Sequence, residues 1–123
     1  GVQHQQGAAD RAAVTAGRAV EMREELTLAD ALAGGIGLHN QYTFRMVQEL
    51  VDEVVLVSES EIASAMAFLL QDEHQVVEGG GAVAVAALLH RRVNSLGRNV
   101  AVVVSGGNVD MDRLIEIAQQ SGI

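Results

Sequence analysis

The run Ala101-Val102-Val103-Val104-Ser105-Gly106-Gly107-Asn108-Val109-Asp110 restricts the possible folds more than any other stretch. Its apolar, mostly β-branched opening is the pattern of a strand buried on both faces. The run stops at Ser-Gly-Gly-Asn, residue types that tolerate positive φ and sharp turns. Asp110 then stands where an N-cap belongs, ahead of the helical pattern Met111–Ala118. Buried strand, glycine turn and helix make half of a βαβ unit. In open α/β sheets ligands bind beyond the carboxyl ends of the strands, and Ser105 falls there on this reading. A hydroxyl at that point can bond a ring nitrogen without carrying charge. It can equally serve only the backbone of its own turn.

The same alternation occurs earlier. Val54–Val57 reads as a second buried strand, followed by a helix to about Leu70 with Ile62, Ala65, Met66 and Leu69 on its packed face. Ser58 and Glu61 form a capping box at its start. Strand-helix alternation of this kind predicts an α/β fold, a parallel sheet covered by helices. Upstream, Ala8–Ala16 reads as a helix ended by Gly17, and Ala19–Arg23 alternates like a short strand. Thr27 with Asp30 resembles a variant capping box opening a short helix, which Gly34, Gly35 and Gly37 cut off. Asn40 is placed to cap a helix with Phe44, Val47 and Val51 as its apolar stripe. Between the two strand-helix units, Ala82–Arg91 reads as a helix apolar nearly all round, hence buried.

Composition narrows the function. The 123 residues fit one domain, or a piece of a larger one. The net charge is −8 and every cation is arginine, because the chain has no lysine. Acidity without a basic stripe argues against nucleic acid. Without cysteine there is no disulfide framework and no thiolate metal site. Apolar runs fall far short of the roughly 18 residues a membrane span needs, so a cytoplasmic protein is the expectation.

Three glycine clusters open helical patterns: Gly34-Gly35-Ile36-Gly37, Gly79-Gly80-Gly81 and Gly106-Gly107. Each can cradle an anion, or simply allow close packing. None is a Walker or dinucleotide fingerprint. Glu78 lies between Val76-Val77 and the triple glycine, where desolvation and a helix dipole would pull its pKa in opposite directions. His4, His39, His74 and His90 lack the i,i+4 spacing of a paired metal site and read as surface residues.

Thr27-Leu28-Ala29-Asp30, Val51–Val54, Glu59–Ile62, Val77–Gly81 and Val104–Asp110 occur in this order in the serine/threonine dehydratase and serine racemase family, which the chain resembles over almost its whole length. These are pyridoxal-phosphate enzymes of fold type II. Thr27–Tyr42 with Glu78–Gly81 is most similar to the dehydratases of hydroxyectoine utilisation. The resemblance implies that Ser105, with Gly106 beside it, meets the pyridine nitrogen of the cofactor. It implies that Glu78 lies near the cofactor ring and that Thr27–Ala31, including Asp30, lines the pocket. A neutral partner leaves the ring nitrogen unprotonated, which suits β-elimination. Ala31 departs from the family, which usually has glycine there.

The family's divalent-cation site departs further: its glutamate, carbonyl and aspartate positions align with Gln3, Gly7 and Ala9. Loss of both carboxylates removes most of the charge that holds a hard cation, so no metal is expected there. The family also uses a lysine to hold pyridoxal phosphate and to act as base, and this chain has none. The resemblance therefore implies that residues 1–123 are the C-terminal segment of the large catalytic domain, inactive alone. The partners implied are the rest of the enzyme chain, a small hydroxy amino acid substrate and copies in a homo-oligomer. The alternative is a non-enzymatic α/β module that binds a small anion or a partner chain through its glycine-opened helices.

Overall fold

The computed structural model describes residues 2–4, 12, 15–18, 26–34, 37–40 and 42–120. Strands β1 (Val2–His4) and β2 (Val55–Val57) pair in parallel, with Val2 opposite Val55 and His4 opposite Val57. Helices α1 (Thr43–Leu50), α2 (Glu59–Gln71), α3 (Gly79–Leu89) and α4 (Met111–Gln120) follow a single 3₁₀ turn at Asp30–Leu32. Helix α3 contacts both strands and α2, and α2 also packs on α4. This is the expected arrangement of a parallel sheet covered by helices.

The core lies where these layers meet. Val57, Ile62, Ala65, Met66, Ala82, Ala86 and Leu114 are buried in one cluster, with Val55, Leu69 and Ile117. Small residues on α3 let it approach the strands and α2 closely. Ile62, Ala65, Met66 and Leu69 are all buried, as the helical spacing of α2 predicts.

Local signals account for most helix ends. Ser58 Oγ accepts from the Glu61 N–H at 3.3 Å, and Glu61 accepts from the Ser58 N–H at 2.8 Å, completing the capping box. Asp110 accepts from Asp112 and Arg113 N–H at 2.9 and 3.3 Å and caps α4. Asn40 reaches past Tyr42 to accept from the Phe44 N–H at 2.8 Å. The end of α3 is a Schellman motif, with Arg92 N–H on the Ala87 carbonyl and Arg91 N–H on that of Leu88. Its left-handed position, usually glycine, is Arg91 at φ 52°. The motif delivers the Arg92 guanidinium to the buried Glu61 carboxylate, with Nε at 2.7 Å. Burial alone would raise the Glu61 pKa. The Ser58 N–H, the Arg92 hydrogen bond and charge and the Ser58 hydroxyl outweigh that and hold it below the ordinary 4.5.

Several expectations are corrected. Val100–Val104 forms no strand, and Val103 is 80% exposed. Among the described residues the run has no neighbouring strand to pair with, so its β propensity goes unused. Thr27 and Asp30 make no capping box, because Thr27 is bonded to Glu59 instead and Ala29 occupies the N-cap of the 3₁₀ turn. Helix α3 begins at Gly79 rather than Ala82, its first turn fitted between other backbones, and ends at Leu89 rather than Arg91. The Ala19–Arg23 strand lies outside the described residues, as does most of Ala8–Ala16, of which Ala12, Thr15 and Ala16 are helical. No helix among the described residues is long and apolar enough to cross a membrane.

Candidate functional site

The start of α3 is the hub on which two separate segments, Leu28–Leu32 and the Ser105 turn, converge. Gly79 has the Leu28 carbonyl so close that a Cβ would stand 2.0 Å from its oxygen. Gly81 does the same for the Ser105 carbonyl, at 1.6 Å. Only glycine permits both approaches, so the triple glycine serves close packing here. On the third side, a Cβ on Gly80 would lie 3.5 Å from that of Ala31, an ordinary contact. The departure from glycine at Ala31 is thus accommodated by the bare residue facing it.

Glu78 joins this hub to the Ser-Gly-Gly turn. Its N–H donates to the Gly106 carbonyl at 3.1 Å, and its carboxylate accepts from the Asn108 N–H at 3.2 Å. Gly106 has φ 75°, and a Cβ on it would fall 2.4 Å from the Glu78 carboxyl carbon. A side chain there would be both strained and obstructed. Glu78, Ser105 and Gly106 are therefore neighbours, although the first two lie 27 positions apart in sequence. Ser105 itself is exposed, while its carbonyl is anchored against α3.

Beside the hub opens a cavity of about 330 Å³ whose wall includes Thr27, Leu28, Asp30, Glu59, Glu78, Asn108, Asp110 and Arg113. Asp30 and Glu78 line it; Ser105, Gly106 and Ala31 flank the hub outside it. All four of its carboxylates answer backbone donors: Asp30 for Ala31, Glu59 for Leu28, Glu78 for Asn108, and Asp110 for α4. Among the described residues no group of metal-ligating side chains gathers to hold an ion. Gln3 is buried in β1, and Gly7 and Ala9 lie outside the described residues. His39, His74 and His90 are exposed.

Sequence reasoning missed two participants. Glu59 reads simply as the first helical residue of α2, yet a second acid beside a complete capping box is spare, and that surplus is the signal that was available. Arg113 has no sequence signal; it enters the cavity wall because Asp110 fixes the first turn of α4.

Residues 1–106 match the pyridoxal-phosphate dependent enzyme family, and the chain belongs to that family. It is 42% identical over 106 residues to the L-threonine ammonia-lyase of Thermotoga maritima, covering 86% of this chain and 26% of that protein. The crystal structure of the T.th. threonine deaminase superposes with a TM-score of 0.81 at 31% identity, over 90% of this chain and 40% of that one. Maize serine racemase gives a TM-score of 0.80 at 27% identity, over 96% of this chain and 36% of that one. The fold is accordingly that of fold type II pyridoxal-phosphate enzymes. The chain spans between about a quarter and two fifths of the length of these relatives.

Proposed function

We propose that residues 1–123 are the C-terminal segment of the large domain of a pyridoxal-phosphate-dependent dehydratase that acts on threonine or serine. The whole enzyme, a cytoplasmic homo-oligomer, would eliminate water from the hydroxy amino acid; hydrolysis then yields a 2-oxo acid and ammonia. When bound, pyridoxal phosphate supplies the electron sink for that elimination. The observation that carries the reading is the Ser105–Gly106 turn, an exposed hydroxyl residue pinned from behind by Glu78 and Gly81. These groups fit the cofactor's ring. A neutral hydroxyl can meet the pyridine nitrogen, Gly106 leaves the approach bare, and Glu78 keeps the turn in shape. Asp30 lies in the wall of the adjacent cavity, and Ala31 stands beside it against Gly80. The amine that holds the cofactor has to come from outside this lysine-free chain. The rest of the enzyme chain supplies it, and no divalent cation is held at Gln3, Gly7 and Ala9.

From the resemblance of Thr27–Tyr42 and Glu78–Gly81 to the hydroxyectoine-utilisation dehydratases we infer a role in that pathway. Loss of growth on hydroxyectoine after disruption of the gene is its expected outcome. Mixed alone with pyridoxal phosphate and threonine, the 123-residue chain should show no absorbance of covalently held cofactor and release no ammonia. Adding the lysine-bearing remainder should restore both, and Ser105→Ala should then alter the cofactor's absorbance and cut turnover about a hundredfold. Turnover by the chain alone, or an unmoved spectrum in Ser105→Ala, overturns the reading.

A further inference from the structure

Capping of α2 is already completed by the Ser58–Glu61 box, but a second acid, Glu59, stands inside it. The half-buried Glu59 carboxylate turns to a distant segment, accepting from the Thr27 hydroxyl and, at 2.9 Å, from the Leu28 N–H. Thr27 Oγ1 in turn accepts from the Ala29 N–H at 3.1 Å. One carboxylate thus fixes Thr27 and Leu28 through charge-assisted bonds, the stronger kind, and Ala29 indirectly through the neutral Thr27 hydroxyl. The consequence travels further. The Leu28 carbonyl lies against bare Gly79, so the place Glu59 gives to Leu28 decides where the first turn of α3 can sit. Glu78 immediately precedes that turn and reaches Gly106 and Asn108.

We propose that Glu59 is a positioning residue for the candidate cofactor pocket: by holding Thr27 and Leu28 it sets the segment that carries Asp30 and Ala31, and the seat of Glu78 behind the Ser105–Gly106 turn. This rests on the reading of that turn as the cofactor site. Glutamine at 59 keeps the size, but it is neutral: its oxygen can accept from the Leu28 N–H only without charge assistance, and the Thr27 hydroxyl has to turn round and accept from its NH₂ group.

Amide exchange and cofactor binding test the two ideas separately. In the 123-residue chain Glu59→Gln should speed exchange of the Leu28 and Ala29 amides about tenfold, with the interior of α2 unchanged. Glu61→Gln, which loosens the α2 end, should lack that local pattern. With the lysine-bearing remainder present, Glu59→Gln should weaken retention of added pyridoxal phosphate about tenfold and raise KM more than it lowers kcat. Unchanged exchange at Leu28 overturns the positioning role. Faster exchange with unchanged cofactor retention overturns it too, if Ser105→Ala still alters the cofactor's absorbance. If neither variant moves the cofactor while Leu28 exchange responds, the cofactor reading of the turn is what fails, and the positioning role falls with it.

Discussion

Two valine runs of nearly the same character end up in opposite circumstances. In Val54–Val57, residues Val55–Val57 pair with β1 and α3 lies over them, leaving Val57 0% exposed. Val100–Val104 has no ladder among the described residues, and Val103 is 80% exposed. Composition cannot separate them, because β-branched residues only suit a pleated surface that neighbours must provide. What holds the second run in place is its carboxyl end, where Ser105 and Gly106 are gripped by α3 and Glu78. The lesson is that the candidate site is anchored through backbone contacts at a turn, without help from the burial of the strand-like residues before it.

The harshest way to break that contrast is Gly81→Ala, which drives a methyl into the Ser105 carbonyl. Denaturant melts of this variant should show a loss of about 3 kcal/mol or more, with the Ser105–Asn108 amides losing protection first. A near-neutral result would mean that the turn is not held by α3. Next in size is Val57→Thr, which buries a hydroxyl in the first run and should cost about 2 kcal/mol in the same melts.

The acid limb of stability gives a further check on the packed half. Glu61 has a depressed pKa in the folded state, so its contribution is complete above about 4.5, the ordinary value, and disappears as pH falls through the lower folded value. Stability should therefore decline below that pH, and Glu61→Gln should flatten the decline while lowering stability at neutral pH. An unaltered acid limb would show that Glu61 is equally acidic when unfolded. The smallest effect is expected at Val103→Thr, within about 0.5 kcal/mol of the parent. A cost matching that of Val57→Thr would erase the distinction between the two runs.

Features set by neighbouring residues were the ones legible in the sequence. Ser58 with Glu61, and Asp110 with the two amides after it, need only a short stretch of chain, and both caps form as read. The periodicity of Ile62, Ala65, Met66 and Leu69 likewise foretold the buried face of α2. Motif order drew Glu78, Ser105 and Gly106 to one place, but by resemblance; the glycine clusters alone pointed to packing or turns ahead of anion binding. Illegible features were those decided by a distant partner. Thr27 looked like a cap and became a ligand for Glu59, because a carboxylate 32 residues away binds it. The fate of Val100–Val104 likewise depends on neighbours that the run does not encode.

The left-handed Arg91 has a consequence for the helix it does not belong to. The tight reversal that closes α3 also aims Arg92 at Glu61, the acid that completes the opening turn of α2. Stop signal and start signal share one ion pair, so fraying at the far end of one helix should unseat the near end of the other. Glycine at position 91 would relax the backbone of that reversal and, with no new contact of its own, tighten both.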